Sequence, residues 1–108
     1  MGLEATSIQR AVFIPYQMQD GTWRLRSNIV FGCAAATSRT ISINGVTFKT
    51  GFNQGGAGMT NLSPPNLAAT FYVDGGNNII SVYAISGSPT GYRISFDFEL
   101  ESKPSWCY

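Results

Sequence analysis

Tyr92, Ile94, Phe96, Phe98 and Leu100 fall on every second position of the chain, with Arg93, Ser95, Asp97 and Glu99 between them. A period of two belongs to an extended strand, whose side chains leave opposite faces in turn. One face of residues 92–100 is therefore core and the other is wet. Fully burying each large side chain of such a row contributes roughly 1.5–3 kcal/mol. The same alternation runs through 67–73, where Leu67, Ala69, Phe71 and Val73 interleave with Ala68, Thr70 and Tyr72. After the turn signal Asp74-Gly75-Gly76-Asn77-Asn78, residues 79–85 are apolar on both faces: Ile80, Val82 and Ala84 on one, Ile79, Tyr83 and Ile85 on the other. A strand of that kind is central in its sheet, or packs its second face against another subunit.

The first half of the chain carries further strand and turn signals. Trp23 and Leu25 point one way and Arg24 and Arg26 the other, before an apolar end at Ile29, Val30 and Phe31. Gln19-Asp20-Gly21 marks a turn, because glycine adopts positive φ without a Cβ clash, so residues 11–18 form the partner strand. Pro15 lacks a backbone donor, which places that strand at a sheet edge or puts a bulge at the proline. Residues 39–43, Asn44-Gly45 and residues 46–49 together predict a hairpin on a type I′ turn, which needs positive φ at both central residues. From 51 to 66 the alternation stops. Gly51, Gly55, Gly56 and Gly58 precede Ser63-Pro64-Pro65, a pattern that predicts a long loop of the sort that carries binding or an oligomer contact. No segment shows a helical period. The expected class is all-β: an antiparallel β-sandwich or jelly-roll-like domain of about seven or eight strands. It is one domain over residues 1–108, with 1–7 and 101–108 as irregular termini.

Composition narrows the function classes. Charged residues make up 12% of the chain and aromatics 13%. The charge is about half that of an average soluble domain, so the surface is built from Ser, Thr, Asn, Gly and Gln rather than ions. The basic residues are scattered, and Arg24 with Arg26 is the one close pair; it can meet a phosphate or sulfate but reads more simply as a solvated strand face. Without a basic stripe, no nucleic-acid partner is expected. No run of about 18 apolar residues occurs, so no membrane insertion is expected. The start lacks a signal-peptide layout, and its match to the loose N-myristoylation pattern (Gly2, Thr6) is explained as well by an ordinary initiator. Cys33 and Cys107 permit at most one disulfide and have no metal-ligand spacing, and two free thiols are the expected state. With no histidine in the chain, neither a zinc site nor any other cofactor is expected.

Catalysis is not expected either. A serine or cysteine nucleophile lacks its commonest base, and the glycine-rich run lacks the Gly-Lys-Ser/Thr of a phosphate loop. Asp97 and Glu99 share a strand face about 6–7 Å apart, a spacing within reach of glycosidase chemistry. Arg93 lies on the same face, however, and the expected arrangement is an ordinary charge cluster with Arg93 as partner. Trp23, Tyr72 and Tyr83 fall on strands, where core or interface packing accounts for them. Trp106 and Tyr108 fall in an irregular tail that either folds back over a neighbour or is presented for binding. The candidate ligand contacts are therefore Phe52, Asn53, Gln54 and Asn61 in the 51–66 segment, with Trp106 and Tyr108 in the tail. Asn61-Leu62-Ser63 matches a glycosylation sequon and is expected to be inert.

The ion-poor, Gly/Ser/Thr/Asn-rich β pattern carries an ending, Arg93-Ile94-Ser95-Phe96-Asp97-Phe98-Glu99-Leu100, that leads into Lys103-Pro104-Ser105-Trp106. This ending resembles the C-terminal domain of a bacteriophage tail fibre or tailspike, which commonly closes with an amphipathic strand and a short Lys-Pro-x-Trp tail. The likeness covers about the last third of the chain, and the added Cys107-Tyr108 departs from it. It implies a virion protein, a homotrimer that binds host cell-surface glycan or protein or stabilises the fibre. A capsid decoration protein and a monomeric carbohydrate-binding module are the alternatives that share the fold class.

Overall fold

Rows of alternating side chains need a second row to close on, and here one sheet supplies both. The computed structural model describes residues 2–3, 5–73 and 78–107. Its strands are β1 (Gly2–Leu3), β2 (Ala5–Gln17), β3 (Trp23–Cys33), β4 (Ser38–Ser42), β5 (Gln54–Leu62), β6 (Ala68–Val73), β7 (Ile79–Ala84) and β8 (Gly91–Glu99), and no helix occurs among the described residues. Every pairing is antiparallel, in the order β1-β4-β7-β6-β5-β8-β3-β2. The sheet curls at β5: its first part, Gln54 to Met59, pairs with β6, while Met59 to Leu62 pair with β8. The all-β antiparallel class is as expected, and the curl is compatible with a sandwich whose two layers share β5.

The core lies between the two wings. Leu25, Ile29 and Phe31 of β3 and Tyr92, Ile94, Phe96 and Phe98 of β8 face Ile41 of β4, Ala69, Phe71 and Val73 of β6, and Ile80 and Val82 of β7. All five residues of the Tyr92–Leu100 row are 7% exposed or less, so the alternation read from sequence is the alternation of burial. An aromatic group anchors the closure. Phe48 meets Phe98 edge-on at 5.7 Å between centroids, and Phe71 lies 6.1 Å from Phe96. The turn before β3 is also as predicted: Gly21 has φ 92°, its N–H donates to Met18 O, and Asp20 Oδ1 accepts the Thr22 amide. β2 is an edge strand, as Pro15 requires; its bulges lie near Ser7 and Arg10 rather than at the proline.

Three expectations are corrected. The Asn44-Gly45 turn exists, with Gly45 at φ 80°, but Asn44 is not at positive φ and residues 46–49 do not return along β4. β4 pairs with β7 and β1 instead. Core packing overrides the local signal: Val46 and Phe48 are 5% and 1% exposed, and Phe48 bridges to Leu100 in the opposite wing. The 51–66 segment is not a long loop, because Gln54–Leu62 is a strand. Its glycines are there for close approach. A Cβ on Gly55 would stand 2.6 Å from Phe71 O, and one on Gly58 2.7 Å from Arg93 O, contacts that no side chain tolerates. Finally, the first residues are not irregular: Gly2–Leu3 pair with β4, and β2 begins at Ala5. The tail after Leu100 is non-strand, as expected. The proposed turn at Asp74 to Asn77 lies outside the described residues, although β6 and β7 do pair antiparallel around it.

Candidate functional site

The register across β2, β3 and β8 stacks outward side chains in rows. Val12 lies opposite Asn28 and Asn28 opposite Ser95; Ile14 lies opposite Arg26 and Arg26 opposite Asp97; Tyr16, Arg24 and Glu99 form the next row. Because Asn28 and Ser95 are short, the first of these rows is a depression between larger neighbours. The result is a groove of about 450 Å³ lined by Val12, Ile14, Arg26, Asn28, Ser95 and Asp97 among others. Its edge-strand wall is apolar: Val12 and Ile14 are exposed. Its floor is polar, and the Asn28 Oδ1 there is shielded from solvent without a hydrogen-bond partner.

The far wall is an ion-pair network. Asp97 Oδ2 accepts the Tyr16 hydroxyl at 2.6 Å, and its Oδ1 accepts Arg24 Nε at 3.0 Å. Arg24 also donates through Nη2 to Asp97 O at 2.8 Å and reaches Glu99 at 3.9 Å, while Arg26 Nε stands 3.8 Å from Asp97. Burial weakens the protonated form of Arg24, but hydrogen bonds from Asp97 and Tyr16 and the Asp97 charge outweigh it and raise its pKa. Two cations thus face two anions, and the wall is close to neutral. Arg93, the partner expected for Asp97 and Glu99, is not in this network. The register sets it opposite Val30 and Met59, and its Nη2 lies 3.3 Å from the Met59 sulfur.

No family model matches this sequence, and no curated protein or solved structure matches the chain.

The described residues predicted as ligand contacts do not converge. Phe52 is 47% exposed just before β5. Asn53 is exposed beside it. Gln54 is taken up by the sheet: its amide accepts from Glu99 N at 2.7 Å and donates to Glu99 O at 2.9 Å. Asn61 lies seven residues further along the same strand, roughly 23 Å away at a strand's rise. There its amide donates to Gln9 Oε1 at 3.1 Å, near the facing glycines Gly32 and Gly91. Trp106 is folded back on the Asn44-Gly45 turn, with its indole N–H donating to Asn44 O at 3.0 Å and the Ser105 amide to Gly45 O. That clamp needs a glycine, since a Cβ on residue 45 would stand 2.6 Å from the indole ring. Tyr108 lies outside the described residues. Cys33 is buried with its thiol directed at Pro89 O, 4.0 Å away, and Cys107 is half-buried.

A second surface extends the second apolar face read in residues 79–85. On the outer face of β4, β7, β6 and β5, Tyr72 and Tyr83 stack in parallel, centroids 6.0 Å apart, and both are about 40% exposed. The Tyr72 hydroxyl hydrogen-bonds Tyr83 and raises its pKa above the usual phenol value. Around the pair lie Ala57, Met59, Ala68, Thr70, Ile79 and Ser81, with Ser38, Thr40 and Ser42 on the outer strand. No outward position of these four strands carries a charged side chain among the described residues. Tyr83 lies on that second apolar face with Ile79, and what the sequence did not show is that the register sets Tyr72, from the wet phase of β6, beside it. Among the described residues no helix is long and apolar enough to cross a membrane, and no group of His, Cys, Asp and Glu is placed to hold a metal ion.

Proposed function

We propose that this chain is a non-enzymatic recognition module of a virion fibre or tailspike tip, assembled as a homotrimer and turned toward a host-surface glycan or protein. The observation that carries the reading is the outer face of β4, β7 and β6, whose outward positions hold no charged side chain among the described residues and where Tyr72, Ile79 and Tyr83 are exposed together, with Met59 of β5 at its margin beside Arg93. A contiguous patch of this kind marks an interaction surface, and tyrosine with methionine is the composition favoured at the centre of interfaces. Copies of the chain closing on that face leave the β2-β3-β8 face open. The likeness of the closing strand and tail to tail-fibre domains supports the trimeric stoichiometry and the virion setting.

Light scattering on the purified chain tests it. The expected mass is three times the 11.7 kDa of one chain, and Tyr83→Lys should lower that mass while the far-ultraviolet spectrum stays the same. A monomer at micromolar concentration refutes the oligomeric reading. It would favour the monomeric carbohydrate-binding module, which needs the groove but gives the tyrosine face no role.

A further inference from the structure

We infer that the groove between β2, β3 and β8 is a subsite for one neutral hexopyranose unit of a glycan. The inference rests on the chain being a recognition module, and it does not depend on how many copies assemble. Three features of the groove converge on that ligand class. Its volume, about 450 Å³, falls in the range of small-molecule clefts, too open for an ion and adequate for a sugar ring with a neighbour. Its walls differ in kind: Val12 and Ile14 offer an exposed aliphatic surface on one side, while Asn28, Ser95 and Arg26 offer hydrogen-bonding groups on the floor and opposite side. A pyranose has the same two-sided character, with a C–H face and a rim of hydroxyls.

The polar groups also decide between ligands of different charge. Asn28 Oδ1 is a solvent-shielded acceptor with no donor, and a shielded polar atom left unpaired is costly. No water-sized group reaches it in the free chain, so a hydroxyl supplies the missing donor once the Asn28 amide turns toward the groove; a carboxylate, a sulfate or an apolar side chain has no donor to offer after that turn. Ser95 beside it both donates and accepts, as hydroxyls do. The guanidinium of Arg26 is largely exposed; it lies over the Tyr16 ring, 5.9 Å from the centroid, and stands 3.8 Å from Asp97, an arrangement that leaves N–H edges able to donate to ring or hydroxyl oxygens. Arg24 and Arg26 are balanced by Asp97 and Glu99, which removes the net positive charge an acidic sugar would seek. The ligand is neutral.

The test is an amide-resolved NMR titration of the whole chain with two sets of probes: maltose, lactose, mannobiose and chitobiose as neutral sugars, and glucuronic acid and N-acetylneuraminic acid, which carry the charge on the ring itself, as anionic ones. The expected result is that at least one neutral disaccharide shifts the amides of Val12, Asn28 and Ser95 at millimolar concentration and the anionic probes do not. Asn28→Leu should weaken that binding about tenfold or more, the equivalent of one shielded hydrogen bond, with melting temperature read alongside to show an intact fold. Ser95→Ala gives a second, smaller loss should Asn28→Leu misfold. Binding of the anionic probes instead, shifts confined to the Tyr72 and Tyr83 face, or silence toward all six probes would each overturn the assignment. A trimer with a silent groove refutes this subsite and leaves the module reading intact; a monomer whose groove binds maltose does the reverse.

Discussion

Gly58→Ala should destabilise the protein, although in an ordinary strand the same change stabilises it. Replacing an interior strand glycine with alanine recovers roughly 0.5–1 kcal/mol, because glycine loses the most backbone freedom on folding. At Gly58 the new Cβ would lie 2.7 Å from Arg93 O and 3.0 Å from Ile94 Cγ2. The first of these is a backbone atom of β8, a central strand that cannot swing away as a flexible side chain would. Either β5 or β8 has to move by several tenths of an ångström at the point where the sheet curls. Overpacking against a backbone atom that cannot give way falls in the upper part of the usual range, about 2–3 kcal/mol. After subtracting the entropic gain, the net loss is about 1–2.5 kcal/mol, a fall in Tm of roughly 4–20 °C for a domain of this size. Urea unfolding followed by the fluorescence of Trp23 and Trp106 measures it. Ala57→Gly, on the exposed outer phase of the same strand, is the companion variant and should cost about 0.5–1 kcal/mol through entropy alone. If Gly58→Ala is neutral or stabilising, residues 54–62 are not held against β8 and the curl described above is wrong.

Two further outcomes follow from the same contacts. Ser27 is 4% exposed and its Oγ has no hydrogen-bond partner, so Ser27→Ala should leave stability unchanged or raise it by up to about 1 kcal/mol; a clear loss in urea unfolding would show that the hydroxyl is paired. At acid pH the stability should fall through two exposed carboxylates. The Thr22 backbone amide holds Asp20 below its usual pKa, and the Thr50 amide, aided by Lys49, does the same for Glu101. Both groups bind fewer protons folded than unfolded, so their contribution is present above the ordinary carboxylate pKa and is lost as pH falls through the depressed values. The double variant Asp20→Asn, Glu101→Gln should flatten the acid limb of Tm against pH, and an unchanged limb would refute the assignment.

The strands with a turn of clear local chemistry or a strict alternation were the legible ones. β2 and β3 are joined by a turn with its own chemistry at Asp20 and Gly21, and β8 declares itself by five buried positions in phase. What could not be read was which non-local contact wins. Asn44-Gly45 has the sequence of a hairpin turn, yet the chain after it is drawn into the core by Phe48, whose partners Phe96 and Phe98 lie about fifty residues away. The glycines of β5 look like loop glycines until Phe71 and Arg93 are placed beside them. For the candidate site the difficulty was similar. Arg26 and Asp97 were visible as charged residues, but the groove they flank exists only because the register brings Asn28 and Ser95 between Val12 and the ion pairs. Aromatic and polar residues in irregular-looking segments drew attention instead, and of these Gln54 and Trp106 are both hydrogen-bonded to the protein's own backbone.

The distribution of charge over the two outer faces separates a solvent-facing sheet from an assembled one. Arg24, Arg26, Asp97 and Glu99 all stand on the β3-β8 wing, with Arg93 further along β8 against Met59, and exposed ion pairs of that sort add little to stability. Their presence keeps that wing hydrated, whereas the outward positions of β4, β7, β6 and β5 carry no charged side chain among the described residues. If the β4-β7-β6-β5 face met only water, lysine at position 83 would cost no more than the stacking with Tyr72, about 0.5–1.5 kcal/mol, and that cost would be the same at every protein concentration. If copies of the chain close on it, the same lysine buries an unpaired charge in an interface, and folding is coupled to assembly. Tm then rises with protein concentration in the parent chain, as mass action demands, and Tyr83→Lys removes that dependence along with the trimer. A Tm independent of concentration in both proteins would leave the stacked tyrosines as a surface feature with no partner.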